Sequence, residues 1–283
     1  MEFWIVQSLN GIALAMLLFI IAAGFTLIFG LMGILNLSHG TLYLVGGYIG
    51  VSVSRFTGNF FLGAIAGMLV VGILGFCMQH ILLRHTHGHL PQALLTIGVA
   101  LFFGDLAIWV WGGFGHLVSK PAFFEGSIHI GELSFPSYRF LVILVGVIVA
   151  VFLWWFHEKS IYGAIVRAGE DNEEMTQGIG INIRLVKTLV FSLGSMLAGL
   201  GGVMGGPFLG VYPGQDLEIL TLAMVVVVIG GKGSLLGALI GALIVGLVDN
   251  LGRIFLPKLS LFLIFVLMAV ILALRPQGVF GRE

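Results

Sequence analysis

The chain has 283 residues, 59% hydrophobic and 9% charged, with a mean hydropathy of +1.12 and 13 basic residues balancing 13 acidic ones. A soluble domain is about a quarter charged, so the composition excludes one and points to an integral membrane protein, while the neutral balance, without clustered Lys and Arg, argues against a nucleic-acid partner. A single cysteine, Cys77, excludes an intrachain disulfide and a multi-cysteine metal site, and 43 glycines suit helices packed through small residues.

From Phe3 to Ser38 there is no charge, and a first spanning helix is expected near Ser8–Met32. It is too long for a signal-peptide core and lacks a basic leader, so no cleavage is expected. A polar break, Asn36-Leu37-Ser38-His39-Gly40-Thr41, precedes a second, Gly-rich helix over about Thr41–Ser54. That helix is short against the roughly 20 residues needed to span, so part of the break belongs at membrane depth. A third helix runs over about Asn59–Leu83 and is closed by Arg84 and the polar stretch His85–His89. The fourth, about Gln92–Trp111, carries Asp105 inside an apolar run. A loop over about Gly112–Ser137 contains Pro121 and Pro136, and the fifth helix covers about Tyr138–Phe156.

Glu158 to Lys187 is the anomaly of the chain, because nine of its charges fall in these thirty positions. Ile161, Ala164, Ile165 and Ala168 share one helical face, with Arg167, Glu170, Asp171 and Glu174 mostly opposite. Asp171 and Glu174 resemble a capping box that starts a second short helix, and Gly178 and Gly180 are stop signals. Two short helices outside the bilayer are expected, and both a partner-binding segment and a plain solvated loop fit them.

A sixth helix follows over about Leu185–Gly206, then a turn-rich connection with Gly206-Pro207 and Tyr212-Pro213-Gly214. The seventh helix, about Asp216–Ile229, is again short and ends at Gly230-Gly231-Lys232-Gly233-Ser234. The eighth covers about Leu235–Leu251, with Asp249 and Asn250 near its end, the ninth about Leu259–Leu274, and a polar tail begins at Arg275-Pro276. The fold class is therefore an all-α polytopic membrane protein of about eight or nine transmembrane helices, some broken, read as a single transmembrane domain over 1–283. If the charged stretch is cytoplasmic, its side holds Arg84, Lys159, Arg167, Arg184, Lys187, Lys232, Arg275 and Arg282. The other side then holds Arg55, Lys120, Arg139, Arg253 and Lys258. That bias favours an outer N-terminus and a cytoplasmic C-terminus. Leu62-Gly63-Ala64-Ile65-Ala66-Gly67 in the third helix resembles Leu236-Gly237-Ala238-Leu239-Ile240-Gly241 in the eighth, a candidate inverted repeat of the kind transporters use; apolar composition alone produces such matches too.

Little in the chain suggests catalysis. Gly230-Gly231-Lys232-Gly233-Ser234 lacks the spacing and the hydroxyl after Lys of a phosphate-binding loop, so any ATP is hydrolysed by another chain. His80, His85, His87 and His89 form a histidine-rich patch that suits either a metal or a polar loop. Polar groups inside spans usually face a bundle interior or a pathway. Asn36, Ser38, His39, Thr41 and Asp105 are the substrate-path candidates. Glu218, Asp249 and Asn250 fit the membrane interface. For Asn36 and His39, beside Gly40, lining a path and breaking a helix fit equally.

Gly24-Phe25-Thr26-Leu27-Ile28-Phe29-Gly30 followed by Asn36-Leu37-Ser38-His39-Gly40 resembles the start of the branched-chain amino acid ABC transporter permeases of the LivH type. Gly163-Ala164-Ile165-Val166-Arg167-Ala168 through Gly178-Ile179 resembles their ATPase-docking loop. Gly230-Gly231-Lys232-Gly233-Ser234-Leu235-Leu236-Gly237-Ala238 resembles their late Gly-rich motif, and Arg275-Pro276-Gln277-Gly278-Val279-Phe280-Gly281 their usual ending. Thr41 and Lys232 depart from the family, which often has an acidic residue at the first position and a small or apolar one at the second. The resemblance implies a permease subunit of an ATP-driven importer, with no cofactor of its own, in the bacterial or archaeal inner membrane. It implies a second permease of the LivM type, two cytoplasmic ATPases and an extracytoplasmic solute-binding protein as partners. Docking would fall on Gly163, Arg167, Ala168, Gly169, Glu170, Asp171 and Gly178, within about 158–187, and the Gly-rich motif would comprise Gly230, Gly231, Gly233, Ser234 and Gly237. The residues alone leave an ion-coupled secondary transporter, with Asp105 or Glu218 as coupling group, as the rival, and a channel as a third possibility.

Overall fold

A computed structural model describes residues 2–86, 88–130 and 132–281. Among the described residues nine helices make the bundle: α1 (Glu2–Met32), α2 (His39–Thr57), α3 (Phe60–Cys77), α4 (His89–Trp111), α5 (Ser137–Lys159), α8 (Ile183–Leu209), α9 (Gln215–Gly230), α10 (Leu235–Phe255) and α11 (Ser260–Leu274). Between α5 and α8 lie two short helices, α6 (Ile161–Asp171) and α7 (Glu173–Gly178). A small antiparallel hairpin, β1 (Ser127–Ile130) and β2 (Leu133–Pro136), occupies what the sequence reads as loop.

Seven of the bundle helices are long and apolar enough to cross a membrane. The other two, α2 and α9, are the short helices expected from sequence. α2 is longer than its Gly-rich core suggests, because Arg55, Phe56 and Thr57 continue it to Gly58, whose φ of 67° ends the helix. α8 runs on to Leu209, with Pro207 tolerated in its last turn. α1, uncharged after Glu2, is buried along most of its length at the centre of the bundle. The exposed side chains of α3 and α11 are apolar, as are those of α4 apart from His89 and Asp105 and those of α5 apart from Glu158 and Lys159, as a lipid-facing or partner-facing surface requires.

The arrangement is two-fold. α1 packs on α8 and on α10, and α8 packs in turn on α3; α2 lies against α3 as α9 lies against α10. In the first half Gly63 and Gly67 of α3 press on the carbonyls of Gly50 and Gly46. In the second half Gly237 and Gly241 of α10 press on those of Gly230 and Val226. Both pairs and both partners are spaced by four, so each half repeats one helix-on-helix contact. At the centre α1 and α8 cross through Gly24 and Gly194, each backed by the other's carbonyl. Leu31 at the end of α1 and Ile183 at the start of α8 both face Gly169, so the two helices are antiparallel. The candidate repeat of the sequence is thus matched by inverted packing.

Candidate functional site

Both half-helices begin inside the bundle. After α1 the chain turns at Gly33, with φ 64°, and runs back between the helices. His39 Nε2 donates to the Ile21 carbonyl at 3.0 Å, and Leu37 N donates to Thr96 Oγ1 of α4 at 3.1 Å. Ile21 lies about 17 Å back from the end of α1 at the helical rise per residue, so α2 starts at depth. Asn36 Oδ1 accepts from Ser38 N at 3.2 Å and from Ser38 Oγ at 2.6 Å, a local turn that fixes the entry. A carbonyl only accepts, so Nε2 of His39 carries the proton. Its Nδ1 and the Asn36 Nδ2 are buried without hydrogen-bond partners.

The second half mirrors this. Gly210 and Gly214, with φ of 80° and 91°, turn the chain from α8 into α9, and Val211 pairs with His116 between them. The first turn of α9 then meets the first turn of α2. Gly40 lies against the Asp216 carbonyl, leaving no room for a Cβ, and Thr41 Oγ1 donates to Asp216 Oδ2 at 2.9 Å. The N-terminal end of a helix carries partial positive charge, and two such ends converge on the Asp216 carboxylate. Asp216 is half-buried, at the edge of an open α9 face formed by Gly214, Leu217, Glu218 and Thr221.

Asn36, Ser38, His39 and Thr41 therefore gather at the start of α2, as expected. Asp105 stands apart, exposed on α4 among Leu101, Phe102, Ile108 and Trp109; Thr96 is the α4 residue that reaches the α2 start. Glu218 accepts from the Tyr212 hydroxyl at 3.0 Å, buried Asp249 pairs with Arg253 at 2.8 Å, and Asn250 donates to the Gln7 carbonyl at 2.8 Å. Among the described residues no group of three His, Cys, Asp or Glu could hold a metal, and His87 of the histidine patch lies outside them.

At the opposite end from the β-hairpin, α6 and α7 cover the bundle. Ser160 Oγ caps α6 by accepting from Gly163 N at 3.0 Å. α7 is capped by Asn172, whose Oδ1 accepts from Met175 N at 2.9 Å, and not by the Asp171–Glu174 box expected from sequence. The inward face of α6 also differs from the expected stripe. Gly163, Val166 and Gly169 are buried, while Ile161 and Ala164 are exposed. Glycine decides this: Gly163 lies on the carbonyls of Phe156 and His157, and Gly169 on Ile183 and Leu31. Arg167, Ala168 and Glu170 are half-buried, and Asp171 and Gly178 are exposed. Four large apolar side chains stand free on this charged segment, namely Ile161 (74% exposed), Tyr162 (65%), Met175 (73%) and Ile179 (73%).

Residues 7–272 match the sequence profile of the family described as branched-chain amino acid transport system / permease component. The chain belongs to this permease family. It is similar to the high-affinity branched-chain amino acid transport system permease protein BraD of Pseudomonas aeruginosa, 27% identical over 98% of this chain and 95% of that one. It is similar to LivH, named likewise, of Escherichia coli, 26% identical over 99% of this chain and 96% of that one. The fold resembles that in the solved structure of PsaBC from Streptococcus pneumoniae in complex with Fab, with TM-score 0.50 and 15% identity over 92% of this chain and 87% of that one.

In this permease the motifs that carried the resemblance converge. Gly30 of the first lies beside Glu170 of α6 and Gly233 of the Gly-rich motif. Gly231 and Gly233 take φ of 100° and 73° to turn α9 into α10, and Ser234 Oγ caps α10 by accepting from Gly237 N at 3.0 Å. The tail closes over this turn, Val279 N donating to the Ile229 carbonyl at 2.8 Å and Phe280 N to that of Gly230 at 3.0 Å. Lys232, one of the two departures, places its ammonium 5.2 Å over the Phe29 ring, a cation–π contact. At the other departure, Thr41, a carboxylate arrives from α9 as Asp216. Sequence reasoning passed over Asp216; an acid two residues past Pro213-Gly214 reads simply as a helix start.

Proposed function

We propose that this chain is the membrane-spanning permease subunit of an ATP-binding-cassette importer, moving branched-chain or related amino acids across the inner membrane by alternating access. The whole chain acts as one permease domain and performs no covalent chemistry on the solute. The observation that carries the proposal is the α6–α7 segment. It is charged, yet it holds Ile161, Tyr162, Met175 and Ile179 outward, and apolar groups so exposed on a water-facing element call for a partner.

That partner is a cytoplasmic ATPase, two of which serve the importer and hydrolyse the ATP. A second permease of the LivM type completes the pore, and an extracytoplasmic binding protein delivers the solute. The segment is also built to transmit force. Gly163 and Gly169 seat α6 directly on α5, α1 and α8, and Gly30 and Gly233 lie beside Glu170. A displacement of α6 by the closing ATPases therefore reaches the end of α1, a few residues before the re-entrant start of α2. With this end cytoplasmic, the N-terminus is outside and the C-terminus inside, in keeping with the bias of basic residues. The isolated, exposed position of Asp105 gives ion coupling no bound site to act through.

The test is co-purification of the coexpressed ATPase with the permease. Burying one large apolar side chain contributes about 1.5–3 kcal/mol, so Met175→Asp with Ile179→Asp should weaken docking by about two to four orders of magnitude. Membrane insertion should be unchanged, because both side chains are exposed. Undiminished co-purification would count against docking here.

A further inference from the structure

We propose that Asp216, with Thr41 and Tyr48, forms the membrane-depth site that receives the solute's ammonium group, resting on the amino-acid reading above. The carboxylate stands where the half-helices α2 and α9 begin, and Thr41 holds one of its oxygens at 2.9 Å. Thr41 and Tyr48 are seven residues apart, on one face of α2. Tyr48 is fully buried, its ring stacked on Trp111 at 5.1 Å, yet its hydroxyl has no hydrogen-bond partner.

The donor and acceptor inventory selects the ligand. A carboxylate accepts only, and each hydroxyl oxygen keeps a lone pair after donating. A primary ammonium brings three N–H donors and no acceptor, and a positive charge that offsets a carboxylate at membrane depth. Among the described residues no ion pair satisfies Asp216; Lys187–Glu173, Arg253–Asp249 and His157–Glu158 are pairs elsewhere. The group is reachable, since Asp216 borders the open face of α9 with Glu218 and Thr221. Such a face, polar within a span, is suited to lining a path. The two-fold architecture places this carboxylate where the two halves touch, so a rocking of one half against the other would change the site. A solute ammonium bound here would be bound differently in the two orientations, as alternating access needs.

The experiment is leucine uptake by proteoliposomes holding the whole complex, with leucine-loaded binding protein outside and ATP inside. Asp216→Asn keeps an acceptor for Thr41 but removes the charge, and is expected to lower uptake about tenfold or more. Asp216→Asn combined with Thr41→Asp returns a carboxylate to the same contact from α2, and is expected to recover much of the uptake. A merely structural role for Asp216 predicts instead that Asp216→Asn alone, which keeps the hydrogen bond from Thr41, leaves uptake unchanged. Asp216→Asn with uptake like wild type overturns the proposal, as does a swap that assembles into the complex yet restores nothing. A wild-type complex that moves no amino acid but moves a solute without an ammonium group overturns the amino-acid reading and this site with it.

Discussion

Gly46→Ala adds one methyl group where α2, α3 and α8 meet. A Cβ on Gly46 would lie 2.5 Å from Gly199 Cα, 2.7 Å from its carbonyl oxygen and 3.0 Å from its carbonyl carbon. Carbon atoms prefer about 3.5–4.0 Å, so α2 and α8 would have to part by about 1 Å, and a gap of that size forfeits a quarter to a half of each contact's well. No flexible side chain absorbs the change, since every atom met is backbone. Overpacking of this kind costs about 1–3 kcal/mol. Gly104 in α4 supplies the control, for a Cβ there meets nothing within 4 Å. Both changes replace Gly by Ala inside a helix, so the propensity gain of about 1 kcal/mol is common to both and cancels in the comparison. Equilibrium unfolding in mixed micelles, followed by tryptophan fluorescence, should place Gly46→Ala about 1–3 kcal/mol below Gly104→Ala. Gly46→Ala combined with Gly202→Ala, whose Cβ would lie 2.7 Å from Gly47 N across the same α2–α8 contact, should cost less than the sum of the two, because helices already parted accept the second methyl. Equal stabilities of the two single variants would refute the close-packed junction.

The inverted packing makes a paired prediction: Gly67→Ala and Gly241→Ala, which meet Gly46 O at 2.8 Å and Val226 O at 2.6 Å, should both destabilise by about 1–3 kcal/mol in the same micelle titration. Arg253→Ala leaves the buried Asp249 carboxylate uncompensated and should cost about 3 kcal/mol by the same measurement. Adding Asp249→Leu should recover most of that loss, since an apolar residue of similar volume needs no partner.

Much of the bundle was legible because membrane spans announce themselves by length and hydropathy. All nine expected bundle helices are present, and α2 and α9 are the two whose shortness signalled a break. One error has its cause in glycine, which carries no hydropathic signal. Ile161, Ala164, Ile165 and Ala168 form the apolar stripe that periodicity picks out, whereas α6 approaches the bundle through Gly163 and Gly169. The clustering of Asn36, Ser38, His39 and Thr41 followed from their being one local segment. Contacts across long sequence separations were not legible: Thr41 with Asp216, Gly30 with Glu170 and Gly233, and the tail with Gly230. Asp105 drew attention as a charge in an apolar run, but helical phase puts it on the outer face of α4. The hairpin of 127–136 was hidden in a stretch read only for its prolines.

We propose that docked ATPase subunits hydrolyse the ATP that drives solute through this permease. This is tested most directly by leucine uptake into membrane vesicles containing this chain with its coexpressed ATPase, second permease and binding protein. Uptake should require ATP, be blocked by vanadate and survive a protonophore. Uptake that persists with vanadate and collapses with the protonophore would contradict the account and make the chain an ion-coupled transporter.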